Sequence, residues 1–174
     1  MEIKKWAIAG IAFTLIIGSL FHFIYGWSGE NPLIGIFGST NESVWEHLKL
    51  LFWPMFFFSI IEYVTYGKKH PGFVPAKVFS ILLGMALIII IFYTYAGIIG
   101  EDYLIVDIAT FIFAVITAYC YSYRTIASGK YGEKKYQIIG WILMIVLIVG
   151  FIIFTFSPPE INLFLDPVSG EYGI

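Results

Sequence analysis

Two histidines, His22 and His47, and one aspartate, Asp107, sit in stretches otherwise oily enough to cross a membrane. Imidazole nitrogens and a carboxylate suit zinc or a ferrous ion, so these three are the candidate metal ligands. Glu42 and Glu46 flank His47 and are the candidate catalytic groups, either one serving as general base for a water. Ser43, Lys49 and, from the tail, Asp166 are candidates for closing such a site. The expected cofactor is a divalent metal, zinc or iron, and the chemistry it would support is hydrolysis.

The three ligand candidates share a depth. His22 lies five residues before Trp27, His47 five after Glu42 and Asp107 five after Asp102. At 1.5 Å per residue each falls about 7–8 Å inside the end of its helix. Ionisable side chains at that depth face a bundle interior and mark pathways, proton relays or sites. On a helix Glu42 stacks with Glu46 and Ser43 with His47, on neighbouring faces. Part of the polar run has a plainer role in starting the helix. Ser39-x-x-Glu42 and Ser43-x-x-Glu46 are both capping-box patterns, and acids suit the positive end of a helix dipole. Lys49 is expected to snorkel outward or to pair with Glu46. Glu62 and His70, near Lys68 and Lys69, read as interface charges.

The elements that must carry these groups follow from composition. The chain has 174 residues, 59% hydrophobic and 13% charged, with mean hydropathy +0.86. Globular proteins carry about a quarter charged residues, so the class is an all-α polytopic integral membrane bundle. A span needs about 20 apolar residues, which places five transmembrane helices near 6–27, 43–65, 78–99, 103–123 and 136–156 of one membrane domain, 1–174. Residues 28–41 form a loop and 157–174 a tail on the outer side. The second and fourth spans are informative because they are short of apolar residues: a full-length helix must take Glu46, His47 and Lys49, or Asp107, into the membrane. Pro54 is expected to kink the second span and to free the Leu50 carbonyl.

Nine of the ten basic residues, all but Lys49, fall at one side of this topology. Positive loops mark the cytoplasm, so the expected orientation is N-terminus in and C-terminus out, in the plasma membrane, with the polar cluster toward the extracytoplasmic side. The loop at 28–40 is too short to cross; with the tail it is placed to cover one mouth of the bundle. A net charge of −2 gives no reason to expect nucleic acid, and the lone Cys120 excludes an internal disulfide or a multi-cysteine metal site. The partners implied are the lipid bilayer and a lipid or small-molecule substrate, with a homo-oligomer open.

Three stretches carry a resemblance. FHFIYGWSGENP closes the first span, N-E-S-x-W-E-H-x-K runs from Asn41 to Lys49, and F-x-D-P-x-S-G-x-Y-G runs from Phe164 to Gly173. With them the chain resembles an uncharacterised, domain-of-unknown-function family of small bacterial and archaeal multi-pass membrane proteins. That resemblance implies a membrane location and a shared polar patch, and no reaction. The seven-span metal-dependent lipid hydrolases are a poorer match, since this chain is too short and lacks their H-x-x-x-H pair.

Four functional readings compete at this point. The first is a metal-dependent membrane-embedded hydrolase or lipid-modifying enzyme. The second is a structural or assembly protein with a hydrogen-bonded polar core. The third is a component of a proton- or cation-coupled transporter, and the fourth is haem ligation by the two histidines.

Overall fold

The computed structural model describes residues 2–174. Among them the regular structure is helical: α1 Glu2–Phe21, α2 Ile24–Trp27, α3 Pro32–Gly35, α4 Val44–Thr65, α5 Phe73–Ile99, α6 Leu104–Ala127 and α7 Lys134–Phe156, with a 3₁₀ turn at Gly67–Lys69. Five of these, α1 and α4 to α7, are long and apolar enough to cross a membrane. α4 is the central one. It packs against α1 and α5, while α6 fills the space between α1 and α5, and α7 lies on the other side of α5.

Lipid tails are as apolar as leucine, so close packing and polar bonds hold such helices together, with no hydrophobic drive between them. α4 supplies both. Leu48, Leu51, Phe52 and Met55 are fully buried, and Phe52 stacks on Phe151 of α7 with ring centroids 4.6 Å apart. On the α1 side, Gly18 lies directly against the Leu50 carbonyl, where a side chain would overlap the oxygen. That carbonyl is the one Pro54 deprives of its helical N–H donor. A glycine therefore faces a free carbonyl at a point where the two backbones nearly touch.

Two ion pairs are buried on α4. Toward its start, Lys49 Nζ donates to Glu46 Oε2 at 2.6 Å and to the Gly35 carbonyl at 2.8 Å. Of the two fates expected for Lys49, pairing prevails over snorkelling, and the side chain is wholly inside. Toward its end, Glu62 pairs with Lys77 of α5 and accepts from the Tyr66 hydroxyl at 2.8 Å. Lys77 Nζ also lies 5.0 Å from the centre of the Tyr119 ring, whose hydroxyl bonds Thr14 of α1 at 3.0 Å. Glu62 is thus no interface charge. α5 begins at Phe73, so Lys77 enters the bundle and gives Glu62 a partner that excludes water.

The connection from α1 to α4 folds back over one mouth of the bundle. The Ser39 amide donates to the Phe21 carbonyl at 3.1 Å, which occupies the acceptor that would have continued α1. Gly35, Gly38 and Ser39 are buried beneath it. The tail docks beside this loop: the Trp45 amide donates to the Leu163 carbonyl at 2.9 Å, and Asn41 Nδ2 to the Gly173 carbonyl at 3.1 Å. The Trp45 ring packs between Phe151 and Phe164 at 4.6 and 4.8 Å. One of the free amides at the start of α4 is therefore satisfied by the tail.

Candidate functional site

The site is built at the start of α4. Ser43 is the N-cap and accepts from the Glu46 amide at 3.3 Å, while Asn41 Oδ1 accepts from the Ser43 amide at 2.9 Å. This is half of a capping box. The Glu46 carboxylate does not return to Ser43; it takes the Thr40 amide and hydroxyl, each at 2.9 Å, together with Lys49. Glu46, proposed from sequence as a general base, is therefore committed to three donors and buried.

Glu42 precedes the cap and stays exposed, and it meets both histidines. Its two oxygens lie 3.9 Å from His22 Nε2 and 3.5 Å from His47 Nε2, and the imidazole centroids are 5.3 Å apart. One donor atom from each of the three residues falls within 4.8 Å of the others, an arrangement able to hold a metal ion. His47 is prepared for this. Its Nδ1 lies 2.9 Å from the Ser43 carbonyl, a bond that occupies Nδ1 as donor and makes Nε2, on the Glu42 side, the nitrogen able to bind an ion. His22 has no counterpart, since its Nδ1 is buried without a protein partner. Burial holds the His22 imidazole below the usual histidine range; the neighbouring His47 pushes the same way and Glu42 opposes both. For His22 the balance favours the neutral, ligating form.

Gly18 and Leu50 set this geometry. His22 stands one turn beyond Gly18, and His47 nearly one turn before Leu50, so the close backbone approach of α1 and α4 brings the two rings together. Asp107 stands near this cluster and outside it. It accepts the hydroxyl of Tyr95 from α5 and is not in the group of three. Glu42, singled out as a base, takes the place beside the histidines that sequence spacing gave to Asp107.

Asp166 closes the tail upon itself. Its carboxylate accepts from the Val168 amide at 3.1 Å and from the Ser169 hydroxyl at 2.6 Å. Burial pushes that carboxyl up, but the bonds from Ser169, Val168 and the Glu42 amide outweigh it and leave it below the ordinary range. The tail is held to the start of α4 by the Trp45–Leu163 and Asn41–Gly173 bonds. Tyr95 and Lys77 escaped the sequence reading as polar partners; a tyrosine in an aromatic-rich chain and a lysine next to a span carry no signal until packing pairs them.

Fold and site together define a multi-pass helical membrane protein with a two-histidine, one-carboxylate cluster at one mouth. Within that class the chain belongs to the family of unknown function DUF6512, whose sequence profile matches residues 1–174. No curated protein and no solved structure matches it.

Proposed function

We propose that the protein is a metal-binding membrane enzyme, a hydrolase or lipid-modifying activity, whose ion is held by His22, Glu42 and His47. The observation that carries this reading is the convergence of two Nε2 atoms on one carboxylate, within 4.8 Å, with the His47 tautomer fixed from behind. Two histidines and one carboxylate on one face leave further coordination positions open, the donor set of catalytic zinc and non-haem iron sites. Bonds of about 2.0–2.2 Å put neighbouring donors about 3.3 Å apart; the 3.9 and 3.5 Å distances run to different Glu42 oxygens and one donor per residue lies within 4.8 Å of the others, so closing on an ion requires side-chain movements of about 1 Å or a little more. Half-exposed histidines and an exposed glutamate leave the site open to a substrate at the membrane surface. We assign this mouth to the extracytoplasmic side of the plasma membrane, because the basic residues gather at the other end.

Elemental analysis after chelation and zinc or iron repletion tests the reading. One metal per chain is expected, lost in His22→Ala, His47→Ala and Glu42→Gln but kept in Asp107→Asn, whose carboxyl is engaged by Tyr95. A wild-type protein that takes up no metal, correctly folded, overturns it. That outcome would favour the structural reading, which draws support from the two buried ion pairs of α4.

A further inference from the structure

At the end of the bundle opposite the histidines, α6 and α7 both pack on α5, leaving a groove of about 580 Å³ between them. α5 forms its floor with Phe79, Leu82 and Leu83, and three tyrosines, Tyr121, Tyr131 and Tyr136, form its walls. The polarity is graded. Leu82 and Leu83 lie deepest, about nine or ten residues into α5 and so about 14 Å from its start. The three tyrosines supply hydroxyls, and two ammonium groups lie against the wall rings.

Each ammonium is seated on a wall ring: Lys130 Nζ is 4.9 Å from the Tyr131 centroid and Lys135 Nζ is 4.9 Å from that of Tyr136. The Tyr121 and Tyr131 hydroxyls share a hydrogen bond of 2.8 Å, which leaves one proton of the pair free to donate outward. Lys135 also touches Glu133 at 3.0 Å, with both side chains exposed, a pairing weak enough to yield to a second anion. Lys134 follows Glu133 in the chain, so the stretch from Lys130 to Lys135 holds three basic residues to one acid.

The loop that carries Tyr131 is fixed in place. Its backbone has φ 66°, a conformation that side chains rarely adopt. The preceding Lys130 carbonyl is lodged against Gly72, where no side chain fits. The ring is then set between Phe79 at 5.0 Å and Tyr136 at 5.1 Å.

We propose that this groove is a binding site for an anionic phospholipid of the adjacent leaflet, its phosphate at Lys130, Lys135 and the tyrosine hydroxyls and an acyl chain along Leu82 and Leu83. An aliphatic floor within the hydrocarbon region and a cationic, hydroxyl-bearing rim at the interface match both halves of such a lipid. A soluble anion would have no use for the floor, and a zwitterionic lipid would gain little from the rim. The site is separate from the histidine cluster and does not depend on whether that cluster holds metal.

Native mass spectrometry of the detergent-purified protein, titrated with phosphatidylglycerol or with phosphatidylcholine of the same chains, tests it. The wild type is expected to retain one phosphatidylglycerol per chain in preference to phosphatidylcholine. Lys130→Ala with Lys135→Ala should erase that preference, each lysine counting for about a factor of five. Leu82→Trp, which fills the groove and leaves the charge intact, should weaken both lipids. Lys68→Ala with Lys69→Ala, at the same end but outside the groove, is the control and should change nothing. Equal retention of the two lipids by the wild type overturns the proposal. So does phosphatidylglycerol binding that survives Leu82→Trp undiminished, or a preference lost equally in the control.

Discussion

Replacing Gly18 by alanine tests whether helix packing sets the spacing of the histidines. A methyl group at this position overlaps the Leu50 carbonyl oxygen and comes within 2.9 Å of Phe111. An aliphatic carbon rests about 3.3 Å or more from a carbonyl oxygen, so relief requires α1 and α4 to part by about 1 Å near this point. His22 and His47 sit roughly one turn away on the two helices and would part with them. Their donors already stand wider than those of a bound ion, one atom per residue lying within 4.8 Å of the others; a further ~1 Å between the helices places one imidazole out of reach. Zinc affinity should then fall about 10–100-fold, the scale on which loss of ligand orientation acts. Stability should fall by about 1–3 kcal/mol from overpacking. Competition titration against a chelator reads the first and thermal unfolding in detergent the second. Gly97→Ala, where an added Cβ meets nothing within 4 Å, is the control. Wild-type zinc affinity in Gly18→Ala would refute the idea that this contact spaces the site.

Three further outcomes are expected. Glu62→Gln and Lys77→Met should each cost about 3–5 kcal/mol, because either leaves a buried group unpaired, whereas the double variant should cost less than their sum; additive losses in unfolding experiments would show that the pair does not act as one. Lys49→Met should strip Gly35 and Glu46 of their shared donor and loosen the connection above them, so limited proteolysis should find the exposed 28–31 segment sooner than in the wild type; an unchanged digestion pattern would count against that role. Asp166 has a carboxyl held below its ordinary range, so its contribution is complete above the unfolded value of about 3.9 and fades as pH falls through the folded one. Exposure of the tail to protease should accordingly begin only in strong acid in the wild type, and should already be present at neutral pH in Asp166→Asn.

Sequence reasoning reached the helices more easily than their partners. Spans show themselves because about 20 apolar residues in a row seldom form anything but a membrane helix, and the i,i+3 spacing of Glu46 and Lys49 made their pairing one of two expectations. The level shared by His22 and His47 was also visible, since depth follows from counting residues. The end of α1 was not, because Phe-His-Phe-Ile is as apolar as what precedes it; the helix stops where Ser39, from a distant loop, takes the Phe21 carbonyl. Asp107 was legible as an acid carried into the membrane, whereas Glu62 read as an interface charge, and their donors, Tyr95 and Lys77, depend on which faces of α5 meet α6 and α4. Helix rotation is decided by packing, and hydropathy does not record it.

The buried charges of α4 also bear on how the protein enters the membrane. A lone ionised side chain near the middle of a span costs about 2.5–3.5 kcal/mol on insertion scales, and α4 is the least apolar of the five. Glu46 and Lys49 neutralise each other within one turn, so the helix brings that pair already matched. Glu62 cannot be matched in this way: its counter-charge, Lys77, follows 15 residues later on α5. A ribosome delivers α4 first, with an unpaired acid near its end and a proline in its middle. α4 and α5 are therefore best delivered as one hairpin, released to the bilayer together once Lys77 has arrived, and the order of synthesis is written into the side chains that later hold the finished bundle.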